Sequence, residues 1–342
     1  MVAVRRVVFV IPPKDGFGHI SFVMKVVRAF FCVSDKVHFY LICKTSLENR
    51  IDKRLFKDCL VFNDTLKKGV AKYWDWSIVE YNATLYSLEK IRPDLVIFDT
   101  VPFFEIAKKY PSFLLCRYSG ISDKFLTLNA IKFFKEVFVV KDSFLGTDGD
   151  FFYIDPIFEL CKTEKVFLAK RKYCLISLGG NNDRAQYNKK AFLECIIELI
   201  SKIDYSFVVI VNGVSRFSFK NKNVLVIKDW DFIGKYYNSC TFAITGAGCE
   251  TILERLFYNV PGVLWSLPTR GGQYKYAEMH ARASRFSLFS GFNPDALYDC
   301  VKNLISNNEE ILENQRDMIE KYPLKNGMQD FINEILRFLC LN

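Results

Sequence analysis

The chain has 342 residues, half of them apolar and a quarter charged, which excludes a disordered polymer and predicts about two domains at ~100–200 residues each. Lys and Arg number 47 against 38 Asp and Glu, a net charge of +9 that suits an anionic ligand, an acidic membrane face or plain surface solubility. No apolar run approaches the ~18 residues of a membrane-crossing helix, and 11 scattered cysteines with no C-x-x-C argue against both a disulfide framework and a zinc site. The short apolar run ending at Ile11, closed by Pro12-Pro13, reads as a first strand rather than a secretory signal, so a cytoplasmic location is expected.

Short β-branched runs alternate with helical periods, the pattern of βαβ units around a parallel sheet. In chain order the sequence predicts strand 7–11, helix 20–31, strand 37–43, helix 46–56, strand 60–62 and a mostly helical 66–90. Strand 95–98, helix 103–109, strand 113–116, helix 125–134 and an extended 137–140 follow. Periodicity weakens over 141–172, which reads as the crossing between domains 1–150 and 151–342. Alternation then restarts with strand 173–178, helix 187–203 and strands 207–211 and 224–227. A short helix 232–237, strand 242–245, helix 249–258 and strand 263–265 come next, and a largely helical remainder runs from about Gln273. The fold class expected is α/β: two doubly wound Rossmann-like parallel-sheet domains with an interdomain cleft, the final helix packing back on the first domain.

Three loops at strand ends carry candidate chemistry. Gly16-Phe17-Gly18-His19 follows the first strand, where glycine lets the backbone approach a ligand and the next helix offers its positive end. It is not G-x-G-x-x-G, so no dinucleotide fingerprint is met. Asp99 ends the 95–98 strand, and in a 3-2-1-4-5 sheet the first and fourth strands are neighbours. Their ends would bring His19 and Asp99 together, the carboxylate fixing one imidazole nitrogen and raising the basicity of the other. The alternative role for Asp99 is an N-cap of helix 103–109. Gly179 and Gly180, after the first strand of the second domain, could present N–H groups to a diphosphate. Thr245-Gly246-Ala247-Gly248-Cys249 is strand, small-residue loop and helix start, with Glu254 on the first turns of that helix and Pro261 beyond it.

Gly248, Glu254 and Pro261 have a spacing that resembles the nucleotide-sugar motif of GT-B glycosyltransferases. The pattern is similar to that of UDP-glycosyltransferases and of the N-acetylglucosaminyltransferase that makes the peptidoglycan lipid intermediate. The resemblance implies that Glu254 binds the ribose, that Trp230 stacks on the base and that backbone near Phe232 reads its edge. It implies that His19 is the catalytic base and Asp99 its support. Gly16, Gly18, Gly179, Gly180, Gly246, Ala247 and Gly248 would then line the substrate. Phe22 stands where the family often has Pro, and the Asp-Gln pair that commonly grips the donor sugar is replaced by 269–273. There Gln273 is the candidate sugar contact and Arg270 a phosphate or acceptor contact. The strings Asp148-Gly149-Asp150 and Asp229-Trp230-Asp231 read as loop composition rather than a metal site.

The implied activity is an inverting, metal-independent glycosyltransferase of the hexosyltransferase type. Its partners would be a nucleotide-diphosphate sugar, UDP-linked, and a hydroxyl acceptor, with no cofactor and no nucleic acid. A lipid-linked acceptor and peripheral contact with the inner face of a membrane are open alternatives, with Phe30-Phe31 and Phe133-Phe134 read first as core residues. A nucleotide-sugar hydrolase, a UDP-sugar 2-epimerase and a non-catalytic binding subunit of the same fold remain as rival readings.

Overall fold

The computed structural model describes residues 4–13, 17–44, 48–62, 77–116, 131–142, 152–158, 173–177, 183–210, 223–227, 234–267, 272–283 and 285–341. They divide into two compact units. One takes in Met1–Lys141, Asp148–Glu159 and Asn326–Asn342, the other Asp142–Thr147 and Leu160–Lys325.

The first unit begins β1 (Arg5–Pro13), α1 (Phe17–Phe31), β2 (Val37–Lys44), β3 (Asp58–Phe62) and α2 (Ile78–Ile91). It continues β4 (Leu95–Asp99), α3 (Phe104–Ala107), β5 (Ser112–Cys116), β6 (Glu136–Val140) and β7 (Phe152–Ile154). Its seven strands lie in the order β3-β2-β1-β4-β5-β6-β7, all parallel. A parallel sheet is covered on both faces, so its central strands are apolar throughout rather than alternating. Every residue of β4 and β5 is buried, as are Val7 to Ile11 of β1. α1 covers one face with Val23, Val26, Val27 and Phe30, the last meeting Phe39 edge-on. α2 starts at a capping box in which Ser77 and Glu80 satisfy each other's backbone N–H.

The second unit has β8 (Tyr173–Ser177), α4 (Asp183–Lys202), β9 (Ser206–Ile210), β10 (Val224–Ile227), α5 (Gly234–Tyr237) and β11 (Cys240–Gly246). α6 (Cys249–Phe257), β12 (Gly262–Trp265), α7 (Gly272–Ala283), β13 (Ser287–Phe289), α8 (Pro294–Ser306) and α9 (Asn308–Lys321) complete it. Six parallel strands run β10-β9-β8-β11-β12-β13. Phe192 of α4 stacks on Trp265 of β12 with centroids 4.3 Å apart, and Leu297, Val301 and Leu304 of α8 join the same core.

The last helix, α10 (Met328–Phe338), belongs to the first unit. Its apolar stripe Phe331, Ile332, Ile335 and Leu336 is buried. Phe331 meets Phe138 of β6 at 5.3 Å and Phe338 meets Phe113 of β5 at 5.1 Å. At the entry to α10 the side chain of Asn326 exchanges hydrogen bonds with the backbone of Phe158, and a Cβ on Gly327 would stand 2.2 Å from the Asp155 carbonyl oxygen.

Several expected elements take another form. The helix expected over 46–56 is two 3-10 turns, Glu48–Arg50 and Lys53–Leu55, because the Asp52 carboxylate takes the Arg54 N–H and starts a fresh turn. The stretch from Gln273 is broken by β13, and β7 adds a strand to the first sheet beyond β6, which is the extended 137–140 expected. Of the helix expected over 125–134, only a 3-10 turn, Ile131–Phe133, falls among the described residues. Phe30 and Phe134 are core, whereas Phe31 is exposed. Among the described residues, no helix is long and apolar enough to cross a membrane.

Candidate functional site

In the first unit the side-by-side pairing of β1 and β4, Val10 opposite Phe98, carries both strands to the same end of the sheet. His19 lies in the first turn of α1 and Asp99 is the last residue of β4. The imidazole Nδ1 donates to Asp99 Oδ2 at 2.9 Å, and Thr100 Oγ1 donates to Asp99 Oδ1 at 2.9 Å. Asp99 is 1% exposed and the His19 side chain 20%. A carboxylate acceptor fixes the proton on Nδ1, which leaves the Nε2 lone pair as a base. Asp99 does not cap α3: that helix follows Phe103 and has no side-chain cap. Thr100 is a residue that sequence reasoning missed. It holds a φ of +73°, costly for a β-branched side chain, while its N–H bonds Leu115 O at 2.8 Å and its hydroxyl braces Asp99.

In the second unit β11 ends at Gly246, Ala247 is buried, and Gly248 is the extended N-cap of α6 with no side-chain cap. The first N–H groups of a helix have no partner within it, so a side-chain-free cap leaves this end suited to an anion. Gly18 and Gly246 have nothing within 4 Å of where a Cβ would stand, so their smallness is not demanded by packing. Glu254 is 3% exposed rather than solvated on the outer helix face. Its charge adds to burial in pushing the Tyr237 phenol well above its usual range.

The next residue, Arg255, is fully buried, and burial pulls its guanidinium down to about 10. Nη1 donates to Thr245 Oγ1 at 2.9 Å and to Val263 O at 3.1 Å, and the guanidinium lies 4.5 Å from the centre of the Phe286 ring. Gly262, with φ at +144°, clears the way: a Cβ there would stand 2.6 Å from Arg255 Nη2 and 2.0 Å from Ala243 O. Arg255 thus ties α6 to β11 and β12 from beneath. The sequence signal was an arginine on the apolar side of Cys249–Phe257.

A second carboxylate–imidazole pair also went unread. Asp142 Oδ2 accepts from His280 Nε2 at 2.7 Å and from the Tyr276 hydroxyl, whose oxygen accepts from Cys249 Sγ at 3.3 Å. Asp142 and His280 are wholly buried.

Gly16, Gly179, Gly180, Trp230, Phe232 and Arg270 lie outside the described residues, as do both Asp-x-Asp strings. Gln273 falls in the first turn of α7. Among the described residues no group of three or more His, Cys, Asp and Glu could hold a metal ion.

No protein-family model matches the chain. Over 205 residues it is 24% identical to the UDP-N-acetylglucosamine--N-acetylmuramyl-(pentapeptide) pyrophosphoryl-undecaprenol N-acetylglucosamine transferase of Thermosipho africanus. That match spans 58% of this chain and 59% of the curated relative's length. Among solved structures, the glycotransferase of kitacinnamycin superposes with a TM-score of 0.69 at 17% identity, covering 98% of this chain and 99% of that one. The calicheamicin glycosyltransferase CalG4 gives 0.65 at 16% identity over 99% of each chain. MurG of Acinetobacter baumannii gives 0.64 at 14% identity over 97% of this chain and 99% of its own. Two parallel sheets, each flanked by helices, with likeness to these structures over nearly the whole chain, give this chain the GT-B fold.

Proposed function

We propose that the chain is an inverting, metal-independent glycosyltransferase that moves a hexose from a UDP-sugar to a hydroxyl acceptor. The observation that carries the reading is the 2.9 Å contact of His19 Nδ1 with a buried Asp99, which orients Nε2 as a base. In this reading Nε2 takes the proton of the acceptor hydroxyl as its oxygen attacks the anomeric carbon. The bond from that carbon to the diphosphate breaks on the opposite face, and the electron pair leaves with the diphosphate. The anion settles on N–H groups of the 246–248 loop and α6, with Gly179 and Gly180 adding donors. Glu254 accepts the ribose hydroxyls, Trp230 and Phe232 take the base, and Gln273 and Arg270 face the sugar and its neighbours.

The first unit then serves the acceptor and the second the nucleotide sugar. A UDP-linked donor and a lipid-linked acceptor are both favoured by the name of the Thermosipho relative, which acts on a pyrophosphoryl-undecaprenol carrier. The net charge of +9 suits an acidic membrane face, so the reading places the protein in the cytoplasm with peripheral contact at the membrane. The test is product analysis with UDP-sugars, with and without a polyprenyl-diphosphate-linked acceptor. Transfer predicts UDP release that depends on acceptor and is slowed in Asp99→Asn. Equal release without acceptor makes the protein a hydrolase, and unslowed transfer in Asp99→Asn removes the dyad.

A further inference from the structure

We propose that Asp142 is a positioning residue for the donor diphosphate, acting through Tyr276, with His280 holding the same carboxylate, to fix the start of α6. The proposal rests on the reading of the 246–248 loop and α6 as the diphosphate seat.

The geometry has a fixed direction. Tyr276 and His280 stand one turn apart on the same side of α7 and converge on one oxygen of Asp142. The two rings are 4.6 Å apart and tilted by 62°, so each limits the other's rotation. Burial, reinforced by Cys249 and Asp142, pushes the Tyr276 phenol well above its usual range, so it keeps its proton. That single proton goes to Asp142, which leaves the phenol oxygen as an acceptor for the Cys249 thiol. Cys249 is the first residue of α6, directly after the Gly248 cap. Asp142 therefore sets the orientation of Tyr276, Tyr276 sets that of Cys249, and Cys249 sets the first turn whose N–H groups would meet the diphosphate. The same carboxylate holds α7 at its middle and last turns.

Packing alone does not call for this cluster. A buried carboxylate–imidazole pair is a poor source of stability compared with apolar side chains of the same volume, because desolvation offsets the attraction. What hydrogen bonds supply and apolar contacts lack is direction. Donors stabilise a leaving anion only when they are aimed before it forms.

Tyr276→Phe is the sharpest variant, since it keeps the ring and removes only the hydroxyl that joins Cys249 to Asp142. Calorimetric titration with UDP and with uridine would be run on wild type, Tyr276→Phe and Glu254→Ala. The proposal expects Tyr276→Phe to bind UDP about five- to tenfold more weakly while uridine binding stays within about twofold. Asp142→Asn, which can still accept from Tyr276, should fall between Tyr276→Phe and wild type. If wild type binds no UDP, or Glu254→Ala binds it as tightly as wild type, the reading of the nucleotide site falls and this proposal with it. If Glu254→Ala loses UDP but Tyr276→Phe keeps it, the site stands and the proposal is overturned. Equal losses of UDP and uridine in Tyr276→Phe would make the cluster purely structural, which also overturns it.

Discussion

Among the described residues each unit contains one aspartate joined to one histidine, and the two pairs stand in opposite surroundings. In the first unit Asp99 holds the Nδ1 of His19 at 2.9 Å, and a fifth of the histidine side chain remains exposed. In the second, Asp142 holds the Nε2 of His280 at 2.7 Å, and neither side chain is exposed at all. The chemistry of the contact is the same. Only the first imidazole has an outer edge on which a substrate proton could arrive, and the second shares its carboxylate oxygen with the Tyr276 hydroxyl. Under the proposed function, exposure of the ring, rather than the pairing itself, separates a proton acceptor from a brace.

Substitution at the two histidines is the hardest test of that contrast. His19→Ala should cut turnover by roughly 10²–10⁴ with UDP affinity nearly unchanged, and its stability loss should be the smaller of the two because solvent at the exposed edge of His19 can reach the Asp99 oxygen it leaves. Steady-state kinetics beside calorimetric melting would read both, and near-normal turnover would remove the first pair from the chemistry. His280→Ala should cost more stability, about 3–5 kcal/mol, because it leaves a wholly buried carboxylate short of a partner. Urea unfolding measures this, and a loss below about 1 kcal/mol would mean the second pair braces nothing.

Smaller effects sharpen the picture. Glu254→Ala should weaken UDP binding about 10–150-fold if the carboxylate accepts two ribose hydroxyls, with Glu254→Gln in between. The loss should shrink for a 2′,3′-dideoxy analogue. Equal affinities across the titrations would show that Glu254, though buried, reads no ribose. The smallest expected effect is that of EDTA, which should leave the transfer rate unchanged. Abolition with rescue by Mg²⁺ or Mn²⁺ would return attention to Asp148 and Asp150 or Asp229 and Asp231.

The two pairs also differ in how far sequence revealed them. His19 follows a strand marked by the continuous apolar run Val7–Ile11, and Asp99 closes another, Leu95–Phe98. The usual strand order alone made them neighbours, which β1 and β4 are. Asp142 carried no such mark. It lies in the weakly patterned stretch after β6, and its partners are 134 and 138 positions away on a helix whose buried side was not read. Short elements failed for a related reason: β7 and β13 have three residues each, too few for a period to show. The helix expected over 46–56 failed because one side chain, Asp52, competes for the backbone N–H that a helix would use. Arg255 was the reverse case, a charge at an apolar position whose accommodation depends on a glycine seven residues later.

The placement of α10 has a consequence for how the chain is made. The second unit is one nearly uninterrupted stretch, whereas the first is assembled from both ends of the sequence. A ribosome therefore finishes the interior of the later-made unit before it delivers Phe331 and Phe338, the residues that cover Phe138 and Phe113. The unit begun first is closed after the second. A product stopped at residue 325 would carry a seven-stranded sheet with two phenylalanines bared along its later strands, a surface of the kind that chaperones and proteases recognise.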